Sequence, residues 1–229
     1  MSLSPRPSAP PAPVARRPKA ILFDWDNTLV DSWPVIHDAL NTTFAAFGLP
    51  PWSMEETRAR VRKSMRDSFP ALFGERWQDA GDVFYERYAA IHVAKVTPAA
   101  GAEAMLQQLR DAGIYLAVVS NKKGDFLRLE AAHLGWDSYF GRLIGAFDAA
   151  RDKPARAPVE RALGTSGVPP GPDVWLAGDA DIDLECAVNA GCVPVLVRSA
   201  APARDEFAAH PPVWHFADCQ ALSKMVKGL

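Results

Sequence analysis

Asp24 and Asp26 stand two residues apart at the end of the apolar run Ala20-Ile21-Leu22-Phe23, with the hydroxyl of Thr28 two residues further on. Carboxylates so placed can act as a nucleophile, exchange protons or hold a hard cation; the same pattern also suits a solvated turn or a helix cap. A second apolar run, Tyr115 to Val119, leads into Ser120-Asn121-Lys122. A hydroxyl and nearby backbone N–H groups there could hold a phosphate oxygen, or make an ordinary turn. Lys153-Pro154 follows Asp148-Ala-Ala-Arg-Asp152, where a lysine taken alone reads as a surface charge. The run Val174-Trp-Leu-Ala177 ends in Gly178-Asp179-Ala-Asp181-Ile-Asp183. This alternation of acids invites a calcium-loop reading, but the sixth loop position is Leu184 rather than glycine and the twelfth is Ala190 rather than glutamate. Magnesium is the better reading for acids at a sheet edge, because one or two protein carboxylates suffice when water and phosphate supply the other oxygens.

The elements that must position these residues are legible from periodicity. The apolar runs lack polar alternation, as expected of parallel strands covered on both faces, and similar runs recur at Val193 to Val197 and, more weakly, Leu143 to Ala146. Helical patterns lie between them at Ala102 to Asp111, closed by Ala112-Gly113, at Phe126 to Leu134, closed by Gly135, and at Val159 to Leu163, opened by Pro158. The alternation predicts an α/β fold with a doubly wound parallel sheet, in which ligands bind beyond the carboxyl ends of the strands. The interval Trp33 to Val96 breaks the rhythm and predicts helices at Pro34 to Phe47, Met54 to Phe69 and Gly81 to Ala94, with Ser53 and Glu56 forming a capping box for the second. Asp31-Ser32 and Thr97 to Gly101 bound it as hinges. The expected organisation is a tail over 1–19, a core from 20–32 and 97–229, and a helical insertion over 33–96.

The tail holds six prolines and four basic residues without an acid, a composition that can neither form a helix nor bury apolar area. A transit peptide is the alternative, opposed by the prolines. The whole chain has 229 residues, 48% of them hydrophobic, which is ample for a core without staples. A formal net charge of −2 supplies no field for nucleic acid or an acidic membrane, and no apolar run is long enough to span a bilayer. Three cysteines with no C-x-x-C pair argue against a disulfide framework or zinc ribbon and for a reducing, cytoplasmic setting. The five histidines show no ligand spacing and read as structural or surface residues; Trp33, Trp52 and Trp77 read as core of the insertion, with Trp33 close enough to the hinge to line a site. Monomer and homodimer both fit this composition.

Taken in order, Asp-x-Asp-x-Thr, Ser-Asn, Lys-Pro and Gly-Asp-x-x-x-Asp on successive strands resemble the four motifs of the haloacid-dehalogenase superfamily, over Lys19 to the C-terminus. With the helical insertion between the first two motifs, the chain is similar to the subgroup with a C1 cap, which includes phosphoglycolate phosphatases and β-phosphoglucomutases. Asn27 replaces the glycine common there; asparagine is the next-best residue for positive φ. The resemblance implies a Rossmann-like core with a cap domain and hydrolysis of a small phosphorylated metabolite with Mg²⁺. By the same resemblance Asp24 is the nucleophile that forms an aspartyl phosphate, and Asp26 is the general acid and base. Asp24, the backbone carbonyl of Asp26, and Asp179 hold the metal, while Asp183 orients a metal-bound water or Lys153. Ser120, Asn121 and Lys153 bind the phosphoryl group; Thr28 either touches phosphate or braces the turn. Asp181 and Glu185 are left as solvated acids, and Arg62 and Arg66, flanking Lys63, share a helix face that either binds a substrate anion or is simply solvated. A phosphomutase using the same acids is the nearest alternative, and a receiver-type phosphoacceptor switch is the alternative from another class.

Overall fold

Because every residue of Ala20–Phe23 is apolar, this strand can be buried on both faces, and it forms β1 at the centre of the sheet. The computed structural model describes residues 16–61 and 65–229, with the backbone alone at 66 and 67. The expected tail therefore lies outside the described residues as far as 15, and so does the basic face of Arg62, Lys63 and the Arg66 side chain.

In chain order the strands are β1, β2 (Val30–Asp31), β3 (Thr97–Pro98), β4 (Tyr115–Lys123), β5 (Arg142–Ala146), β6 (Val174–Gly178), β7 (Val193–Val197) and β8 (Trp214–Phe216). The α-helices are α1 (Trp33–Ala46), α2 (Met54–Arg60), α3 (Met65–Phe73), α4 (Trp77–Lys95), α5 (Ala102–Asp111), α6 (Gly124–His133), α7 (Ala157–Leu163), α8 (Asp181–Ala190) and α9 (Cys219–Lys227). Six strands form a parallel sheet in the order β5-β4-β1-β6-β7-β8. Alternate residues of each strand enter opposite layers. Ile21, Leu116, Val118 and Trp175 join Met105 of α5, Leu127 of α6 and Leu222 of α9, whereas Leu22, Ala117 and Leu176 join Val159 of α7 and Ala187 of α8. This is the expected doubly wound α/β sheet, and β1 sits at its switch point, flanked by β4 on one side and β6 on the other.

The insertion between β2 and β3 is helical, as expected, with three differences. Met54 to Phe69 is not one helix. After α2 the chain leaves the helix at Val61, which is extended at φ −81° and ψ 91°, and Val61 and Met65 pack against the cluster of Leu40, Phe44, Phe69 and Ala80. No glycine or proline marks that break; tertiary burial decides it. Next, α4 begins at Trp77 rather than Gly81, and Gly81 faces Met65 at a close approach that a side chain would crowd. The last difference concerns the two hinge segments, which pair with each other as the antiparallel ribbon β2–β3, so the chain enters and leaves the insertion at one place. The capping box at α2 is present, Glu56 N–H donating to Ser53 Oγ at 3.1 Å and Ser53 N–H to Glu56 at 2.9 Å. In the core, β4 runs on to Lys123 instead of ending at Val119, with a register shift against β5 over that extension. Beyond Val197 the sequence reading names no element, yet β8 and α9 follow. Asp218 caps α9 by accepting from Ala221 N–H at 2.8 Å, a signal visible in the sequence.

Inside the insertion, α1 and α4 are tied by Asp38, which accepts from Arg87 Nε and Lys95 Nζ at 2.6 Å each. The Arg87 hydrogen bond, against some opposition from burial, holds the Asp38 carboxyl down at about 2. A depressed pKa means stability that is present above the ordinary value and lost as pH falls through the folded one. Asp38→Asn is expected to lower stability by about 1 kcal/mol at neutral pH, as partly exposed pairs do. The gap from wild type should close as pH falls from about 4 towards 2. Denaturant melts at pH 7 and pH 2.5 check this, and a gap that does not depend on pH contradicts it.

Candidate active site

The turn after β1 is built by the Trp25 carbonyl, which accepts from the N–H groups of Leu29 at 3.0 Å and Val30 at 3.2 Å. To close it, Asn27 adopts φ 60°, the left-handed conformation that asparagine bears better than most residues. Asp24 N–H donates to the Ala177 carbonyl at 2.8 Å, so the first residue beyond β1 lies beside the end of β6. Parallel strands thus bring Asp24 after β1, Ser120 within the later half of β4, and Asp179 after β6 to one edge of the sheet, where they line a cavity of about 270 Å³. Asp26, Asn27, Asn121, Lys153 and Asp183 also face it, beneath aromatic walls from the insertion that include Trp33, Trp52 and Phe84.

Lys153 is the centre of this arrangement. Its ammonium, 2% exposed, donates to Asp24 Oδ1 at 2.8 Å and Asp183 Oδ1 at 2.6 Å. Its backbone is held from both sides by one side chain: Lys153 N–H donates to Asn121 Oδ1 at 2.9 Å, and Asn121 Nδ2 donates to the Lys153 carbonyl at 3.1 Å. Lys153 is thus buried rather than the surface charge it reads as when taken alone, and Asn121, expected at phosphate, lines the cavity and also holds the Lys153 backbone. Asp183 is fully buried in the first turn of α8, and its second oxygen accepts from Ala180 N–H at 3.2 Å. Between the two sequence readings of Asp183, the geometry favours the grip on Lys153. The Asp183 carboxylate folds over Gly178, where an added Cβ would fall 2.2 Å from Asp183 Cγ, so only glycine fits.

Burial opposes the charge of Lys153, but the carboxylates of Asp183 and Asp24 outweigh it and raise the pKa. The acids feel the opposite imbalance. Burial, with the charges of Asp183 and Asp26 adding to it and Lys153 opposing, pushes Asp24 up to about 6. Asp179 is raised well above its ordinary value by burial and then by Asp183 and Asp24. Oxygens of Asp24, Asp179 and Asp183 lie within 4.8 Å of one another. Two buried acids and a half-buried third, with one lysine among them, lack positive charge, and a divalent cation fits that deficit.

Thr28 is not in the cavity wall; it is 2% exposed and its hydroxyl has no hydrogen-bond partner among the described residues. Asp181 is exposed as expected, and with Glu185 and His210 it forms a group on the outer side of α8. Trp33 does line the cavity, and Trp52 joins it rather than serving only as core. Asp26 is engaged by Ser32, expected only as part of a hinge, and by Lys122, to which the sequence assigned no role. Ser32 Oγ donates to its Oδ1, and Lys122 Nζ lies 2.7 Å from the same oxygen. Lys122 in turn meets Glu130, an acid 1% exposed on the inner face of α6. The signal for Glu130 was present: it shares the Leu127 and Ala131 face of an amphipathic helix, where an acid must have a partner.

Residues 21–197 match the model of the haloacid dehalogenase-like hydrolases. The chain is 33% identical to the phosphoglycolate phosphatase of Xylella fastidiosa (strain 9a5c) over 178 residues, which cover 76% of this chain and 77% of that one. It is 30% identical to the phosphoglycolate phosphatase of Rhodobacter capsulatus over 216 residues, covering 91% and 97%. Among solved structures it resembles a haloacid dehalogenase-like family protein from Streptococcus pneumoniae with a TM-score of 0.80 at 21% identity, covering 90% of this chain and 97% of that one.

A carboxylate with a raised pKa costs stability once ionised, so the cation-free protein loses stability as pH rises from 3.8 to about 6, where Asp24 ionises. Asp179→Asn removes a carboxyl whose ionisation burial, Asp183 and Asp24 all oppose, and is expected to raise the melting temperature of the cation-free protein at pH 7 by up to about 2–4 °C, the equivalent of about 1 kcal/mol. Mg²⁺ should stabilise the wild type by about 2.7 kcal/mol at a hundredfold excess over its dissociation constant, and the variant far less. Thermal melts with and without Mg²⁺ read both, and an undiminished Mg²⁺ shift in the variant removes Asp179 from the cation site.

Proposed function

We propose, from the premise that this chain belongs to the haloacid dehalogenase-like hydrolases and is a phosphatase among them, that it hydrolyses a small phosphomonoester through a phosphoryl-enzyme on Asp24. The observation that carries this reading is Asp24 itself, a carboxylate lining the cavity, 2.8 Å from a buried lysine, within 4.8 Å of Asp179 and sharing the cavity wall with Ser120. A carboxylate nucleophile divides hydrolysis into two easier displacements. Asp24 attacks phosphorus and the substrate alcohol leaves; water then attacks the phosphoryl group and Asp24 returns as carboxylate. Asp26 gives a proton to the leaving oxygen in the first half and takes one from water in the second. Lys153 and the Ser120 hydroxyl hold phosphoryl oxygens, with Lys153 also reducing repulsion between Asp24 and the anionic substrate. Asn121 and Asp183 keep Lys153 in place.

Asp24, the carbonyl of Asp26, and Asp179 are the residues to hold Mg²⁺. When bound, the ion neutralises charge on the phosphoryl oxygens. The insertion, 33–96, acts as a cap over the core of 20–32 and 97–229, and the paired strands β2 and β3 form its hinge. Its walls exclude water during transfer, which strengthens every charge interaction at the cavity floor. The relatives named phosphoglycolate phosphatase make 2-phosphoglycolate the first compound to try.

Phosphate release from 2-phosphoglycolate, sugar phosphates and simple alkyl phosphates should require Mg²⁺, and Asp24→Asn should lose at least about 10³-fold while remaining folded, as expected when the nucleophile is removed. A folded wild type that releases nothing, or that makes a sugar bisphosphate with no net phosphate, would defeat the hydrolase reading.

A further inference from the structure

Glu130 has more donors than a structural acid needs. Trp25 Nε1 donates to its Oε2 at 2.7 Å, His92 Nδ1 lies 2.8 Å from Oε1, Tyr88 OH lies 3.4 Å from Oε1, and Lys122 Nζ meets Oε2. All five side chains are buried. Burial alone would push the Glu130 carboxyl up, but the His92 hydrogen bond and the Lys122 charge together hold it below its usual range. The donors come from three places. Trp25 lies between Asp24 and Asp26 in the turn after β1, Lys122 is on β4, and His92 and Tyr88 are on α4 of the insertion. The path continues from Lys122 to Asp26 Oδ1, where Ser32 Oγ also donates. Both donors converge on Oδ1, and among the described residues no hydrogen bond is made to Oδ2.

Resting on the reading of Asp26 as proton donor, we infer that Glu130 is a positioning residue for the first chemical step: through Lys122 it orients the Asp26 carboxyl towards the leaving oxygen, and through His92 and Tyr88 it ties that orientation to the seating of the insertion. As the bond from phosphorus to the leaving oxygen breaks, the proton on Asp26 Oδ2 passes to that oxygen, and Asp26 is left as carboxylate. Glu130 touches neither substrate nor phosphorus. It acts by fixing where Lys122 Nζ sits, since a lysine head bound by one carboxylate alone is free to swing, and Asp26 would swing with it. The Tyr88 ring, 5.4 Å from Nζ, closes the remaining side.

The leaving group separates this role from a packing role. An alkyl phosphate must have its alkoxide protonated, whereas 4-nitrophenyl phosphate leaves as a stable phenolate and needs little help. The informative quantity is kcat/KM, which ends at transfer to Asp24 and so excludes the later attack of water. Asp26→Asn is expected to lower kcat/KM for an alkyl phosphate by about 10²-fold or more, the usual worth of general acid catalysis, with a far smaller loss on 4-nitrophenyl phosphate. Glu130→Gln should reproduce that selectivity at about tenfold on the alkyl substrate and under about threefold on the aryl one. His92→Leu, which removes one donor from the insertion side, should show the same pattern more weakly, and it serves in place of Glu130→Gln should that variant not fold. Equal losses on both substrates, or none, overturn the inference while leaving Asp26 as donor. An Asp26→Asn variant that treats both substrates alike overturns the donor reading and the inference with it.

Discussion

The placement of one buried ammonium among acids governs the rest of this structure. Lys153 can be charged there only because Asp24 and Asp183 meet it directly, and each acid tolerates burial in part because Lys153 is present. Every constraint nearby serves that contact. Gly178 leaves room for the Asp183 carboxylate, Asn121 clamps the Lys153 backbone, and the parallel pairing of β1 with β6 sets Asp24 beside the end of β6. The balance still favours negative charge, as the raised pKa of Asp24 and Asp179 shows. Such a site is poised for a cation and for the transfer of an anionic group, and the cost is carried by a core buried on both faces of the sheet.

A second buried charge group, Lys122 with Glu130, follows the same physics at a different place. The first group is built wholly from the core; the second also draws on α4 of the insertion. The two lysines therefore divide the labour by geometry. Lys153 sits against Asp24, proposed above as the nucleophile, and Lys122 sits against Asp26, proposed above as the proton donor. The insertion contributes aromatic walls of the cavity and, through His92 and Tyr88, buried polar contacts to Glu130.

Much of this was legible in the sequence, for identifiable reasons. A strand buried on both faces must be apolar throughout, so β1, β6 and β7 could be read almost to the residue. Residues directly beyond such strands gather at one edge of a parallel sheet, which assembles Asp24 and Asp179; Ser120, read as following its apolar run, joins them from within the longer β4. What failed was local inference where tertiary burial overrides propensity. The helix break at Val61 has no breaker, and the extension of β4 through Lys123 places polar residues in a strand. Lys153 read as a surface charge because its partners are 129 and 30 residues away.

The sequence by itself determined the architecture, the presence of a chemical site and the residue types in it, because periodicity and strand-end position are local properties of the chain. Only the tertiary structure decided the partners: that Asp183 and Asn121 serve Lys153, that Thr28 stays out of the wall, and that Lys122, Glu130 and His92 join Asp26 to the insertion. Hydrogen bonds and ion pairs depend on distances of about 3 Å between groups far apart in the chain, and spacing along a sequence carries no record of those distances.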